Sequence, residues 1–141
     1  MADKKKVLVL GSQGLVGSSV TRIFNKQDKY DVYPSTRQDA NLFLFEETLN
    51  LIDSVKPNYI INCAAKVGGI LANNTYRTEF ILENLKININ VLESLIKKPE
   101  VTLINLGSSC IYPLNAVNPI SEESLMTGKL EPTNSPYAMA N

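Results

Sequence analysis

Histidine is absent from the 141 residues, so the chain contains no imidazole general base and no histidine metal ligand. Cysteine is scarce: Cys63 and Cys110 stand far apart and form neither a CxxC pair nor any metal-ligand spacing, which points to no metal site and to a reducing, cytoplasmic compartment. Net charge is also missing, because fourteen basic residues cancel fourteen acidic ones. That balance argues against nucleic acid or an anionic membrane as a partner. Lys4, Lys5 and Lys6 form a short basic run that leads into an apolar segment and reads as a solvated flank. Long apolar stretches are lacking too. Val7–Leu10 is too short for a signal-peptide core, and no segment has the length of a membrane span. Repeats, low-complexity tracts and an internal domain linker are likewise absent.

A hydrophobic fraction of 44% is that of an ordinary globular chain and excludes general disorder. A chain of this length forms one domain and buries roughly two-thirds of its unfolded surface. Lys5–Leu10 carries the continuous apolar run Val7–Leu10 and ends at glycine, the pattern of a strand buried in a parallel sheet. A helix follows, with Leu15, Val16, Val20, Ile23 and Phe24 at helical spacing, and then a short strand over 31–34. Leu49, Ile52 and Val55 predict a second helix that ends before Pro57, and 59–62 a third strand. A loop over 64–72 precedes the longest helical pattern. There, Ile81, Leu85, Ile89, Leu92 and Ile96 make one apolar stripe that is expected to pack on the sheet, with Pro99 at its end. A fourth strand spans 101–106. Beyond Gly107, Pro113, Pro119, Pro132 and Pro136 interrupt any regular element and predict a long irregular loop. Strands alternating with helices imply right-handed crossovers, hence an α/β, Rossmann-like, doubly wound parallel sheet in the expected order 3-2-1-4. With no further strands, such a sheet is incomplete at its C-terminal side and leaves its fourth strand as an apolar edge.

Four segments carry chemistry. Gly11, Gly14 and Gly17 form a GxxGxxG turn between the first strand and first helix. Glycine there permits a tight turn and close approach of a pyrophosphate, which the N–H groups of the helix terminus attract; Leu15 and Val16 complete this set of cofactor-binding candidates. At the end of the second strand, where NAD enzymes commonly place an acid, stands Ser35-Thr36-Arg37. A guanidinium suits a 2′-phosphate and favours NADP, whereas Asp39 nearby tempers that reading and leaves an exposed surface arginine as the alternative. The third segment, Asn105-Leu106-Gly107-Ser108-Ser109-Cys110-Ile111-Tyr112-Pro113, follows the fourth strand, at the sheet end that faces the ligand crevice. Its hydroxyls can bond a substrate carbonyl, and Cys110 reads equally as an acid/base thiol or as an inert buried one. The fourth segment, Ser135 to Asn141, carries Tyr137 where short-chain dehydrogenases place a tyrosine four residues before a lysine. Here the fourth residue on is Asn141, which brings no charge to the phenol.

Together these segments resemble the GDP-L-fucose synthases, a family of extended short-chain dehydrogenases/reductases, from about Lys6 to Ala140. The most specific matches are Ala64-Ala65-Lys66-Val67-Gly68-Gly69-Ile70, Ala72-Asn73-Asn74-Thr75-Tyr76, Leu106-Gly107-Ser108-Ser109-Cys110-Ile111-Tyr112-Pro113 and Leu130-Glu131-Pro132-Thr133-Asn134. The resemblance implies an NADP(H)-dependent epimerase/reductase that converts GDP-4-keto-6-deoxy-D-mannose to GDP-L-fucose. An acid/base pair would invert carbons 3 and 5, and hydride from NADPH would reduce the C4 ketone. Carried over, Ser108 and Tyr137 would bind and protonate the C4 oxygen, and Cys110 would be the epimerisation cysteine. Gly11, Gly14, Gly17 and Arg37 would hold NADP, with Ala64, Ala65 and Lys66 lining the cofactor side. Gln13 stands where some members have a basic residue, and Asn141 where the family has lysine. Members are more than twice this long and commonly homodimeric through helices beside the sheet. Residues 1–141 are therefore expected to be a truncated NADP-binding domain lacking the substrate domain, without turnover by itself and with weak NADP(H) binding at best. The alternatives are a non-catalytic nucleotide-binding remnant, or a related NADP-dependent nucleotide-sugar epimerase or dehydratase.

Overall fold

The computed structural model describes residues 3–141. Two compact units divide them, one made of the residues up to Ala65 together with Ile89–Leu106, the other of Lys66–Asn88 and Gly107–Asn141.

The first unit holds the sheet. Strands β1 (Lys5–Leu10), β2 (Tyr30–Ser35), β3 (Tyr59–Asn62) and β4 (Thr102–Asn105) are all parallel and lie in the order β2-β1-β3-β4. Between them run α1 (Leu15–Phe24) and α2 (Phe45–Val55), and the end of the long helix α4 (Arg77–Leu95). Side chains of β1 alternate between two cores. Val7 and Val9, with Ile61, pack with Val20 and Phe24 of α1. Leu8 and Leu10, with Ile60, pack with Ile52 and Val55 of α2 and Val91 of α4.

This alternation corrects the expected strand order of 3-2-1-4. Right-handed crossovers move along a sheet in opposite directions when their helices cover opposite faces. Helix α1 covers one face and carries the chain from β1 out to β2. Helix α2 covers the other, so the next crossover returns past β1 and sets β3 on its far side. Residues 36–44 form turns rather than another strand outside β2. The reversal of winding thus falls between β1 and β3, and the crevice beyond their carboxyl ends is the one expected to take a ligand.

Helix α4 brings a second correction. The apolar stripe Ile81, Leu85, Ile89, Leu92 and Ile96 is not its buried face: Ile89 is 52%, Leu92 57% and Ile96 75% exposed. The buried residues are Phe80, Asn84 and Ile87 in the second unit, and Val91 and Ser94 in the first. Two of those five are polar and satisfied locally. Asn84 bonds the Phe80 carbonyl and the Lys66 backbone, and the Ser94 hydroxyl bonds the Asn90 carbonyl.

The second unit is mostly loop, with two 3-10 turns at Ser109–Ile111 and Glu122–Ser124. It contains two short helices: α3 (Ile70–Thr75), which begins inside the expected loop 64–72, and α5 (Ser135–Met139), which forms despite the prolines expected to interrupt regular structure beyond Gly107. Pro136 does not break α5, because it sits in the first turn, where an N–H has no intrahelical acceptor to meet. Among the described residues no helix is long and apolar enough to cross a membrane.

Candidate functional site

In the first unit the glycine turn leaves β1 at Gly11, whose φ of +72° is left-handed, and whose added Cβ would lie 2.8 Å from the Ala64 Cα. The turn closes when the Gly14 N–H bonds the Gly11 carbonyl at 3.1 Å. Helix α1 then starts from Gly14, which is extended and contributes no side-chain cap. The first intrahelical bond is that of the Ser18 N–H to the Gly14 carbonyl, so the N–H groups of Leu15, Val16 and Gly17 have no intrahelical acceptor. Gly17 is buried against the turn; a Cβ there would lie 2.2 Å from the Gly11 oxygen. Leu15 and Val16 are exposed. With no acidic residue in its first turn, this helix end keeps its partial positive charge.

The turn is tied to β2. Both the backbone N–H and the hydroxyl of Ser12 donate to the Ser35 carbonyl, at 3.0 and 2.9 Å. Arg37 follows two residues later. It is exposed, and among the described residues it enters no hydrogen bond or ion pair. The neighbouring Asp39 is committed elsewhere: its carboxylate accepts the Thr36 N–H at 2.7 Å and hydroxyl at 2.8 Å. Those bonds hold its pKa below the ordinary carboxylate value. The guanidinium therefore stands exposed while the nearby acid closes a loop. Across the crevice the Asn62 amide oxygen accepts the Ala64 N–H at 3.1 Å, and the Asn62 amide donates to Asn105 on β4 at 2.7 Å. Ala64 is half-buried and Ala65 exposed. Cys63 packs in the α1-side core, where burial pushes its thiol pKa up.

In the second unit Lys66 is held at both ends. Asn84 takes its N–H at 2.8 Å and donates to its carbonyl at 3.0 Å. Its ammonium pairs with Glu83 at 2.6 Å and lies 5.7 Å from the Phe80 ring centroid. Lys66 is thus committed within its own unit. The glycines after it are fixed in the same way, by the buried Asn73 amide, which donates to the Gly68 and Gly69 carbonyls.

Ser108 caps the 3-10 turn that carries Cys110, its Oγ accepting the Cys110 N–H at 3.2 Å. The Cys110 sulfur accepts a hydrogen bond from Asn134 Nδ2 at 3.2 Å, and Asn134 is the residue from which α5 starts. Tyr137 lies in α5, its ring edge-on to Phe80 with centroids 6.3 Å apart. Asn141 spends its amide on the Tyr137 carbonyl at 2.7 Å. The segment before α5 is knotted by Glu131, which accepts the N–H groups of Thr133 and Asn134 and the Thr133 hydroxyl. Arg77 donates to the Pro132 carbonyl at 2.8 Å and the Ser135 hydroxyl at 3.0 Å. The Thr133 bonds, with Arg77 adding a smaller share, hold the Glu131 pKa low.

The structure therefore gathers Gly11, Gly14, Leu15, Val16, Gly17, Arg37, Ala64 and Ala65 in one unit, and Lys66, Ser108, Cys110 and Tyr137 in the other. Sequence reasoning missed Asn84 and Arg77, and gave no role to Glu131 and Asn134, which it named only within the Leu130–Asn134 match. For Asn84 a signal existed, because an amide inside a long helix that it does not cap needs a buried partner.

The family described as the NAD dependent epimerase/dehydratase family matches residues 7–141. A GDP-L-fucose synthase of Sinorhizobium fredii is 44% identical over 140 residues, covering 99% of this chain and 44% of the relative. GDP-L-fucose synthase 1 of Arabidopsis thaliana is also 44% identical, over 141 residues, with the same two coverages. Among solved structures, a GDP-D-glycero-L-gluco-heptose synthase from Campylobacter jejuni, crystallised in the presence of NADPH, superposes with a TM-score of 0.90 at 30% identity. That match covers 99% of this chain and 41% of the other. The chain spans about 44% of the length of the curated relatives it matches.

Proposed function

The chain belongs to the NAD dependent epimerase/dehydratase family, and from that premise we propose that it is the N-terminal, NADP(H)-binding part of a GDP-4-keto-6-deoxy-D-mannose 3,5-epimerase/4-reductase. The observation that carries the nucleotide reading is the glycine turn. Gly11 and Gly17 leave no room for a Cβ, and three N–H groups at the start of α1 stand without intrahelical acceptors above it. A pyrophosphate fits that donor set. Arg37, with no partner among the described residues, suits the 2′-phosphate that distinguishes NADP from NAD. Ala64 and Ala65, small residues beside Gly11 at the carboxyl end of β3, line the cofactor side in this reading, and Lys66 continues that segment.

The substrate reading rests on the GDP-sugar names of the relatives and on the motif that carries Ser108, Cys110 and Tyr137. Bound NADPH would supply hydride for the C4 ketone. The hydroxyls of Ser108 and Tyr137 bind the C4 oxygen, and Tyr137 gives it a proton. Cys110 exchanges a proton at the carbon being inverted, its S–H bond breaking as the electron pair stays on sulfur. The two free thiols suit a reducing cytoplasm.

Parallel fluorescence titrations with NADPH and NADH test the cofactor reading. NADPH is expected to bind more tightly. Arg37→Ala should weaken NADPH about ten- to a hundred-fold, as the loss of a hydrogen bond to a charged group implies, and leave NADH unchanged. Equal affinities for the two nucleotides, or a variant that weakens both alike, would refute it.

A further inference from the structure

We propose that Asn134 is a positioning residue for the Cys110 thiol: its amide donates to sulfur from a segment locked in place on both sides, and so steadies the sulfur as Cys110 gives up its proton. This rests on the reading of Cys110 as the residue that exchanges a proton with substrate.

Three features carry it. The Asn134 Nδ2 to Cys110 Sγ distance is 3.2 Å, within the range of a hydrogen bond to sulfur. Asn134 makes no side-chain cap to α5, although it stands at the position where asparagine usually does so. The amide is thus diverted from the ordinary use of this residue at a helix start. Its other end, Oδ1, is buried with no hydrogen-bond partner among the described residues. A buried amide oxygen left unpaired costs free energy, and its persistence here calls for a reason beyond packing.

The backbone around Asn134 holds the amide to this task. Glu131 fixes its N–H at 3.1 Å, and Arg77 grips Pro132 and Ser135 on either side. Both charged groups are engaged with this segment, which leaves the amide as the polar group on sulfur. When Cys110 gives up its proton, the S–H bond breaks, the pair stays on sulfur, and the bond donated by Nδ2 strengthens against the anion.

The test is alkylation of Cys110 by iodoacetamide in the 141-residue chain, followed by peptide mass spectrometry so that Cys63 is scored separately. No nucleotide or sugar is added, so the outcome is independent of whether NADP(H) binds. Asn134→Leu keeps the volume and removes the donor. It should alkylate about tenfold more slowly near pH 7, the loss of one hydrogen bond to an anion. At about pH 10.5, where thiols are ionised generally, the rates should converge. Asn134→Asp, closest in shape, replaces the donor with a carboxylate, should slow alkylation near pH 7 at least as much, and serves if the leucine variant does not fold. Wild-type rates near pH 7 would overturn the proposal. So would a slowing of the same size at both pH values, which is the mark of a purely structural or access effect. Loss of the Arg37-dependent NADPH preference with the Asn134 effect intact would instead sink the cofactor reading alone.

Discussion

Gly17→Ala puts a single methyl group where the glycine turn has no space. The added Cβ would stand 2.2 Å from the Gly11 oxygen, 2.8 Å from the Gly11 carbonyl carbon and 2.9 Å from the Ser12 Cα. All three are backbone atoms, so no rotamer change relieves the contact. Ordinary contact begins at 3.4 Å, so α1 and the turn must separate by about 1.2 Å (3.4 less 2.2). Helix α1 is not free to move that far. Val20 and Phe24 pack against Val7, Val9 and Ile61, and the turn is bonded through Ser12 to Ser35. Overpacking of this kind costs about 1–3 kcal/mol and more when backbone must shift, and alanine returns about 0.5–1 kcal/mol as the better helix former. Because all three contacts are backbone, the cost lies at the upper end of that range, and a net loss of about 2 kcal/mol remains. For a chain of this size that lowers Tm by roughly 6–8 °C.

Thermal unfolding followed by circular dichroism measures it, with Gly14→Ala as the control. A Cβ at Gly14 meets only the Gly11 oxygen, at 3.4 Å, and should change stability by no more than about 0.5 kcal/mol. An unchanged or raised Tm for Gly17→Ala would refute the reasoning, because helix propensity would then have outweighed a contact too flexible to matter. The same variant tilts the N–H groups of α1 away from the turn, so NADPH binding should fall with it even at temperatures where the chain stays folded.

The facing of α4 and the pH response of the Glu131 knot give two further tests. Ile96→Lys, on the exposed stripe, should leave stability within about 0.5 kcal/mol, whereas Val91→Ala, at 1% exposure, should cost about 1.5–3 kcal/mol in urea unfolding; the opposite ranking would return the apolar stripe to the core. The Glu131 carboxyl is held below its unfolded value of 4.5, so its bonds stabilise the fold fully above that pH and are lost as pH falls through the lower folded value. The amide proton shifts of Thr133 and Asn134 should therefore titrate together below about pH 4.5 and stay flat in Glu131→Gln; independent titration of the two would show that they do not share this carboxylate.

How much of this molecule can be read from its sequence depends on whether the deciding force is local. The strands and the glycine turn are legible because an apolar run that ends at glycine before a helix has few other solutions. Gly17 is needed where it is for a local reason as well, the approach of a helix to the turn that precedes it. The strand order is not local. It turns on which face α2 covers, and the stripe of Ile52 and Val55 is equally compatible with either face of β1. Only the alternation of Leu8 and Leu10 against Val7 and Val9, sorted by contact, fixes the direction of the crossover. Helix α4 misleads for a stronger reason. Its most regular apolar stripe points outward, while Asn84 and Ser94 are buried: Asn84 meets the backbone N–H and carbonyl of half-buried Lys66, and Ser94 bonds back to the Asn90 carbonyl of its own helix. Hydrophobic periodicity cannot register such a demand.

The same limit governs the candidate site. Ser108, Cys110 and Tyr137 are recognisable by type and motif, but what holds them is a set of amides and one ion-bonded loop with no periodic signature. Asn84 fixes Lys66, Glu131 fixes Asn134, and Asn134 reaches Cys110. Each is an ordinary polar residue whose role exists only once the chain has folded. Side chains that would do the chemistry can be picked out from residue type, whereas the residues that position them become visible only as answers to buried hydrogen-bonding groups.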